Sequence, residues 1–496
     1  MIRFGSFQID PRTWLLTSDG QAVDLSPRLV EILAHIVSRE GQIVTKDELL
    51  ERFWPNVNVT ENTLTRAIAD IRKAIRDDAA NPKYLQTASR RGYRFVGAQS
   101  AQGAQGAQGA QGAQGAQGAQ GADPFEEWVK GRLALDSLDS AKLEEAVRAF
   151  ERTAAGLPRY APAHAGLANA YLLQYEKTRS GRTPDRGLLE KAMQSARDAS
   201  TLDPSLGEAW AVLGYLLCAA GKSNEGQAAS RRATALEPEN WRHHYRLAYG
   251  SWGEERLRAV DRALTLMPGF APARMLACMV FVARGTIDRA EREASIGAEA
   301  QRQHQNDYTP LPAVGHHWLR GLILGSKGDA MAALASFDEE IAAASHGHVY
   351  GAEFAVNAHV AAGFTHLSIG DVAAASAAFA HALEQSPEHP KASVGEYAIA
   401  IRWGDQASIE RARLKVMAAT EELRRVDRHA ESALVAAGQN VAENHITDAV
   451  QILDGLLATA PAGPAGWIIP IDPMLAPIRE HPAKLALFSK LAARAA

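Results

Sequence analysis

Seven consecutive Ala-Gln-Gly triplets, from Ala101 to Gly121, divide this 496-residue chain into two parts. The triplets carry no charge and no large apolar side chain, so they cannot bury enough surface to offset the conformational entropy that folding costs. We therefore predict a flexible linker over residues 99–122, with a reach of roughly 25–30 Å. It separates an N-terminal domain, residues 1–98, from a C-terminal domain, residues 123–496.

The composition fits an ordinary soluble protein, with 46% apolar and 22% charged residues and a net charge of −4. Residues 1–98 hold 14 Lys and Arg against 12 Asp and Glu, a net charge of +2, which leaves −6 for the rest. This weak basic bias is compatible with nucleic-acid binding but does not predict it. The first ten residues lack the apolar core of a signal peptide, and the longest apolar run, Met275 to Ala283, is too short to span a bilayer. We expect a cytoplasmic protein without a membrane segment.

The stretch from Thr60 to Ile75 has the apolar period of a helix, with Thr60 as a good N-cap. Four apolar residues recur at intervals of four, three and four and share one face: Leu64, Ile68, Ile71 and Ile75. The opposite face is polar and partly basic, and it carries Asn62, Arg66, Ala69, Asp70 and Lys73. Two strand-like runs follow, Tyr84 to Thr87 and Tyr93 to Val96, around a turn that contains Arg90 and Arg91.

A polar helix face followed by a hairpin with a basic tip suits duplex DNA. The helix could enter the major groove, and the tip could reach the minor groove. An ordinary surface helix and hairpin with solvated charges would give the same pattern, and the periodicity does not separate the two interpretations.

The same residues carry a resemblance to a known family. The run TENTLTRAIADIRKAI, followed by TASRRGYRF, resembles the OmpR/PhoB-type winged-helix DNA-binding domain. The resemblance covers about Met1 to Gly97, and its ending RGYRF, Arg91 to Phe95, is the most recognisable part. It implies an α+β winged helix-turn-helix whose recognition helix and wing contact DNA. The residues we expect at this interface are Asn62, Thr63, Arg66, Lys73, Arg90, Arg91, Tyr93 and Trp54.

The resemblance also implies roles for the segment before the recognition helix. In the family, the loop that here runs from Trp54 to Val59 approaches the DNA backbone and can touch RNA polymerase, although Trp54 could equally be a packing residue. Asp70 departs from the family, because related domains are often basic there, so the family's usual base preference is not carried over.

The residues ahead of the recognition helix fit the same domain. Short strands are expected from Ile2 to Leu25, including a hairpin around Ser18-Asp19-Gly20. Ser26-Pro27 should open a first helix, and Thr45 to Glu48 has the pattern of a capping box for a second. Since Met1 lies directly before the first strand, we expect no receiver domain and no control by phosphorylation of such a domain.

Beyond the triplets the sequence is helical and repetitive. Trp210, Leu213, Gly214, Leu217, Ala233 and Pro238 match the tetratricopeptide pattern, and Pro204 and Pro238 are one 34-residue repeat apart. Another copy ends at Pro158 and a late one at Pro387, while Thr178 to Gly187 reads as an insertion. Trp252 to Pro268 reads as a shortened copy, and Gly328 to Ile341 as the second helix of another. We predict an all-α tetratricopeptide solenoid, with the Pro-interrupted segment Trp467 to Ala496 as its cap.

No pattern in the chain predicts catalysis, a cofactor or a metal. His243-His244 and His316-His317 are adjacent pairs, and adjacent helical residues point about 100° apart, so they rarely chelate one ion. Cys218 and Cys278 lie in apolar helical patterns and read as buried thiols. No phosphate-binding loop or nucleophile motif is found.

The sequence therefore predicts a DNA-binding transcription regulator, not an enzyme, with an architecture similar to that of HilA-like regulators. Its partners would be double-stranded DNA, RNA polymerase, and a protein, peptide or small effector in the repeat groove, and a homodimer is compatible with it. Two alternatives stay open. One is a tetratricopeptide scaffold for protein–protein assembly, and the other is an enzyme with a DNA-binding regulatory part.

Overall fold

The computed structural model describes residues 2–10, 15–18, 21–23, 25, 27–39, 41–53, 61–79, 82–88, 91–97, 124–179, 184–304, 313–344 and 347–496. The chain forms two compact units, Met1–Gly121 and Ala122–Ala496. The predicted linker, residues 99–122, lies outside the described residues.

In its described residues the N-terminal unit contains three helices and two small antiparallel sheets, as expected for a winged helix-turn-helix. Its elements in chain order are β1 (Ile2–Phe4), β2 (Phe7–Asp10), β3 (Leu15–Ser18), β4 (Gln21–Ala22), α1 (Pro27–Ser38), β5 (Ile43–Thr45), α2 (Lys46–Phe53), α3 (Glu61–Ala74), β6 (Leu85–Ala88) and β7 (Gly92–Phe95). Strands β1 to β4 form one sheet in sequence order, and the second sheet has the order β5-β7-β6.

Strand β5 was not predicted. It is only three residues long, too short to show an alternating pattern, and it pairs with β7 in the register Val44 opposite Tyr93. Both wing strands are shifted by one residue from the prediction: β6 lies one residue later than the predicted Tyr84 to Thr87, and β7 one residue earlier than the predicted Tyr93 to Val96. In the N-terminal hairpin, β4 ends at Ala22, earlier than the predicted Leu25.

Thr45 ends β5 and also caps α2. Its hydroxyl accepts a hydrogen bond from the Glu48 amide at 3.1 Å, which is half of the predicted capping box. The Glu48 carboxylate binds His35 and Arg39 of the α1 region instead, each at 2.9 Å. Burial works to raise the pKa of Glu48, but the hydrogen bonds and charges of His35 and Arg39 hold it below its usual value. This contact fixes α2 against the end of α1.

The second unit is an array of antiparallel helix pairs, as the repeat pattern predicts. Its helices are α4 (Pro124–Asp136), α5 (Leu143–Gly156), α6 (Ala161–Arg179), α7 (Arg186–Leu202), α8 (Gly207–Ala219), α9 (Ser223–Leu236), α10 (Trp241–Gly250), α11 (Gly253–Leu266), α12 (Ala271–Ala283), α13 (Ile287–His304), α14 (His316–Ser326), α15 (Ala330–Ala343), α16 (Gly351–Ser368), α17 (Val372–Gln385), α18 (Pro390–Trp403), α19 (Gln406–Arg425), α20 (His429–Ala442), α21 (Ile446–Thr459) and α22 (Lys484–Arg494), with a 3-10 helix at Pro473–Glu480. From α4 to α21, each even-numbered helix packs against the odd-numbered helix that follows it.

Three of the turns between helix pairs are closed by the same type of hydrogen bond. The carbonyl of Pro204 accepts from the Trp210 indole at 3.0 Å, and the carbonyl of Pro238 accepts from the His244 ring at 2.8 Å. The third case joins Pro158 to His164 at 3.0 Å. In each turn the side chain six residues after the proline closes the connection between one pair and the next. His244 therefore has a structural role.

Close approach of a phenylalanine ring to a glycine sets the spacing between pairs. The Phe379 ring of α17 lies against Gly363 of α16 and Gly395 of α18, and a Cβ on either glycine would come within 3.0 Å of it. Phe150 of α5 meets Gly166 of α6 in the same way. The ring fills the space that the missing side chain leaves, so the helices of neighbouring pairs can pack closely.

Two repeat assignments had different outcomes. The prediction that Trp252 to Pro268 is a shortened copy is wrong, because Trp252 is the N-cap residue of α11, the second helix of a pair that begins with α10. The prediction that Gly328 to Ile341 forms a second helix is confirmed by α15, whose N-cap Asp329 accepts from the Ala332 amide at 3.0 Å.

The C-terminal segment does more than cap the last pair. Helix α22 contacts α21, but it also reaches α12, and the 3-10 helix packs against α14, α16, α20 and α21. Lys391 of α18 binds Asp472 at 2.6 Å, and Arg284, at the end of α12, donates to the Ala495 carbonyl at 2.7 Å. The segment thus lies along the first helices of several pairs and buries, among others, Ile469, Ile471, Met474, Leu475 and Ile478.

A second long-range contact joins the first pair to a later one. The Ser140 amide donates to the Gly347 carbonyl at 2.9 Å, and the Val349 amide donates to the Leu138 carbonyl at 2.8 Å. These bonds tie the α4–α5 turn to the segment before α16. Among the described residues, no helix is long and apolar enough to cross a membrane.

Gly395→Ala should destabilise the array by about 1–3 kcal/mol, because the new methyl group overlaps the Phe379 ring. Gly455→Ala is the matched control, since Gly455 lies inside α21 with no atom within 4 Å of the added Cβ. Alanine there should be neutral or stabilising by up to about 1 kcal/mol. Urea unfolding followed by circular dichroism measures both, and equal effects would contradict the proposed packing.

Leu475→Ala should lower the stability of the array by about 2–5 kcal/mol, because Leu475 is fully buried in the 3-10 helix. Leu485→Ala provides the comparison, since Leu485 in α22 is 75% exposed and its loss should change stability by less than about 0.5 kcal/mol. If thermal unfolding of the Leu475→Ala chain matched that of the Leu485→Ala chain, the C-terminal segment would not be part of the packed array.

Candidate nucleic-acid interface

The rotation of α3 about its own axis is set by its apolar face. Leu64, Ile68 and Ile71 are at most 1% exposed and pack in the core formed with α1 and the strands. On the other side of the helix, Thr65, Ala69, Asp70 and Lys73 are exposed. Among the described side chains of α3, the predicted division is therefore observed, with Ala69, Asp70 and Lys73 on the outward face.

The predicted contact residues occupy different parts of this unit. Lys73 lies on the exposed face in the last turn of α3. Asn62, Thr63 and Arg66 lie in the first half of α3, but their side chains are outside the described part of the chain, as are Trp54 and Arg90. The place of Asn62 and Arg66 in the interface therefore stays a prediction from the sequence.

Tyr93 has a different environment from the other predicted contacts. Its side chain is only 4% exposed and belongs to the core cluster, on the same side of β7 as Phe95. This burial shows that the Tyr93 ring packs in the core of the unit, and its DNA contact stays a prediction.

The wing is the hairpin of β6 and β7. Arg91 is exposed at its turn, and its amide donates to the Ala88 carbonyl at 2.9 Å. Gly92 follows because a Cβ at this position would clash with the Val44 carbonyl oxygen of β5. The close pairing of β5 with β7 therefore requires glycine at position 92. This pairing fixes the start of β7 and so keeps the preceding residue, Arg91, at the tip of the hairpin.

Arg72 links the recognition helix to the wing, and the sequence did not reveal this role. Its guanidinium donates to the Leu85 carbonyl and to the Thr87 hydroxyl, both at 2.8 Å. The two acceptors lie on β6, so Arg72 fixes the angle between α3 and the hairpin. Its partners are 13 and 15 residues away, beyond the reach of any helical spacing rule.

Asp77 holds the turn between α3 and β6. Its carboxylate accepts hydrogen bonds from the amides of Lys83 at 2.6 Å, Tyr84 at 3.2 Å and Leu85 at 2.7 Å. Three amide donors on one carboxylate satisfy backbone groups that would otherwise lack partners at the start of the strand. Arg72 and Asp77 together position the wing relative to α3.

The array also carries polar side chains that the repeat pattern did not predict. Glu208 of α8 binds Arg132 of α4 and accepts from Asn169 of α6 at 2.9 Å, and Asn169 accepts from Arg246 of α10. Burial works to raise the pKa of Glu208, but Arg132 and Arg246 hold it below its usual value. This polar row ties together the first helices of four consecutive pairs.

The two histidine pairs are engaged in the packing of the array. His243 binds Glu237 at 3.0 Å, and His317 binds Glu339 at 2.6 Å. Burial would raise the pKa of Glu237, but His243, Asn240 and the Gly207 amide lower it to about 2. His316 is fully buried and packs against Gly297. The described residues contain no group of three or more His, Cys, Asp or Glu placed to hold a metal ion.

Residues 20–95 match the family described as "Transcriptional regulatory protein, C terminal". The chain is 29% identical over 97 residues to the transcriptional activator CadC of Escherichia coli, which covers 19% of each chain. It is 33% identical over 96 residues to the transcriptional regulatory protein KdpE of Mycobacterium tuberculosis, covering 19% of this chain and 42% of KdpE. With the transcriptional regulator HilA of Salmonella typhimurium, identity is 32% over 92 residues, 18% of this chain and 16% of HilA.

The chain thus spans less than half the length of each of these relatives, and the likeness lies in its first hundred residues. That region carries the two sheets, the buried and outward faces of α3, and the wing. The N-terminal unit of this chain therefore carries a winged-helix domain of the OmpR/PhoB type, matched over residues 20–95.

Proposed function

We propose that the chain is a transcription regulator that binds promoter DNA through α3 and the wing. The observation that carries the proposal is the outward face of α3, which lies in the region that matches the regulator family and ends in the exposed Lys73. Helix α3 would enter the major groove, and the wing, with Arg90 and Arg91, would contact the phosphate backbone or the minor groove.

The contacts divide by chemistry. Lys73 lies in the last turn of α3, where a flexible ammonium group suits a phosphate contact that does not depend on sequence. Arg66 lies in the middle of the helix, where a guanidinium could bind a guanine edge with two hydrogen bonds. Asn62 and Thr63 at the start of the helix, and Trp54 ahead of it in the sequence, complete the proposed interface.

The array would supply the partner-binding function. An extended stack of helix pairs offers a large surface for a protein or peptide, for RNA polymerase at the promoter, or for a second copy of the chain. Since the C-terminal segment covers parts of α12, α14, α16 and α20, we place partner binding on surfaces of the array outside that segment. No feature of the described residues favours an enzymatic role over this one.

Lys73→Ala in the full-length chain should weaken binding to specific and random duplexes by similar factors. Because one phosphate contact is lost, the slope of log affinity against log salt concentration should fall by about 0.9. Arg3→Ala is the control, since Arg3 is an exposed cation on β1 in the other sheet and its loss should leave the slope unchanged.

Fluorescence anisotropy at several salt concentrations makes this measurement. An unchanged slope in the Lys73→Ala chain would show that the end of α3 lies away from the backbone. Equal changes in the Lys73→Ala and Arg3→Ala chains would indicate a general charge effect in place of the proposed contact.

A further inference from the structure

The outward face of α3 carries an acidic residue near its centre. Asp70 is exposed, with Ala69 before it and Lys73 one turn after it. The helix core on the opposite side fixes this orientation, because Ile68 and Ile71 on either side of this short segment are at most 1% exposed. If α3 lies in the major groove as proposed, the Asp70 carboxylate faces the base edges.

Arg72, the arginine nearest to Asp70 in the sequence after it, points towards the wing. Arg72 follows Asp70 by two positions, but its guanidinium is held by Leu85 and Thr87 of β6. Its positive charge therefore serves the contact between helix and wing. The exposed second half of α3 presents a small side chain, a carboxylate and one lysine, which is a weakly charged surface for a DNA-reading helix.

A carboxylate in the major groove discriminates strongly among the groups it can meet. An ionised Asp can only accept hydrogen bonds, and it is repelled by phosphates and by other acceptors. Guanine presents two acceptors in this groove, and thymine presents an acceptor and a methyl group. Adenine presents an amino donor next to the N7 acceptor, whereas cytosine presents its N4 amino group without an adjacent acceptor. Cytosine is therefore the base edge that suits Asp70 best.

We propose that Asp70 is a specificity-determining residue that accepts a hydrogen bond from the N4 amino group of a cytosine in the operator. The inference rests on the proposed function, because it requires α3 in the major groove. The proposal also predicts that Asp70 lowers the affinity for duplexes that lack this cytosine. In such duplexes the carboxylate faces only hydrogen-bond acceptors and phosphates, which repel it.

A base contact by Asp70 can be distinguished from an acidic residue that touches no base by the effect of removing its carboxylate on DNA binding. Removing the carboxylate should relax the preference at one base pair, and at the same time it should raise affinity for random duplexes. A simple loss of negative charge would raise affinity for all sequences equally. A lost structural residue would lower affinity for all sequences.

The experiment uses the full-length chain and a duplex obtained by selection from a random library. Each base pair of that duplex is replaced in turn, and dissociation constants are measured for the wild type, Asp70→Ala, Asp70→Asn and Asp78→Ala chains. Asp78 is the matched control, because it is an exposed acid in the turn after α3 and lies outside the outward helix face. Circular dichroism confirms that each variant is folded.

We expect the wild type to lose about 5- to 150-fold in affinity when one particular C·G pair is replaced. In the Asp70→Ala chain this discrimination should disappear at that pair and persist at the others, while affinity for random duplexes rises. Asp70→Asn has almost the same shape, and its amide should shift the preference at that pair from cytosine towards adenine. The Asp78→Ala chain should retain the wild-type preference.

Three results would overturn the proposal. The first is unchanged discrimination in the Asp70→Ala and Asp70→Asn chains with a uniform rise in affinity, which would leave Asp70 as a charge effect only. The second is a uniform loss of binding in the folded Asp70→Asn chain. The third is a wild-type chain that binds no duplex, which would overturn the proposed function and the reading role with it.

Discussion

Burial of the apolar face of α3 is the constraint on which the candidate interface depends. Leu64, Ile68 and Ile71 fit the core formed with α1 and the two sheets, and this contact fixes the rotation of the helix. The polar positions between them then have to point outward. Tyr93 and Phe95 of the wing pack in the same core, so the helix and the hairpin are held by one hydrophobic cluster. Arg72 and Asp77 add hydrogen bonds that set the angle between them.

The helical array depends on a different kind of contact. Each pair buries its apolar edge on the next pair, and the helices approach closely where Phe150 and Phe379 meet glycines. Longer contacts are added to this sequential stacking: the polar row that includes Arg132 and Glu208, the bonds between the α4–α5 turn and the segment before α16, and the C-terminal segment. Such contacts couple pairs that are not neighbours in sequence, so we expect the array to unfold more cooperatively than a simple stack.

The parts of the structure that follow from local periodicity could be predicted from the sequence. The faces of α3 and the helix pairs of the array show in spacings of three, four and 34 residues, and the start of α1 at Pro27 follows from the Ser26-Pro27 pair. Contacts between distant residues could not be predicted, since Arg72 and Lys391 bind partners 13 and 81 positions away. The buried side of the wing also follows from a short period, because the alternation along β7 places Tyr93 on the same face as the buried Phe95.

The central claim is that the N-terminal unit reads duplex DNA in a sequence-dependent way. Selection of duplexes from a random library by the full-length chain, followed by measurement of dissociation constants at one fixed salt concentration, tests it most directly. The account predicts enrichment of a defined motif that is bound at least about 10³-fold more tightly than random duplex. Absence of enrichment, or equal affinity for selected and random duplexes, would contradict it.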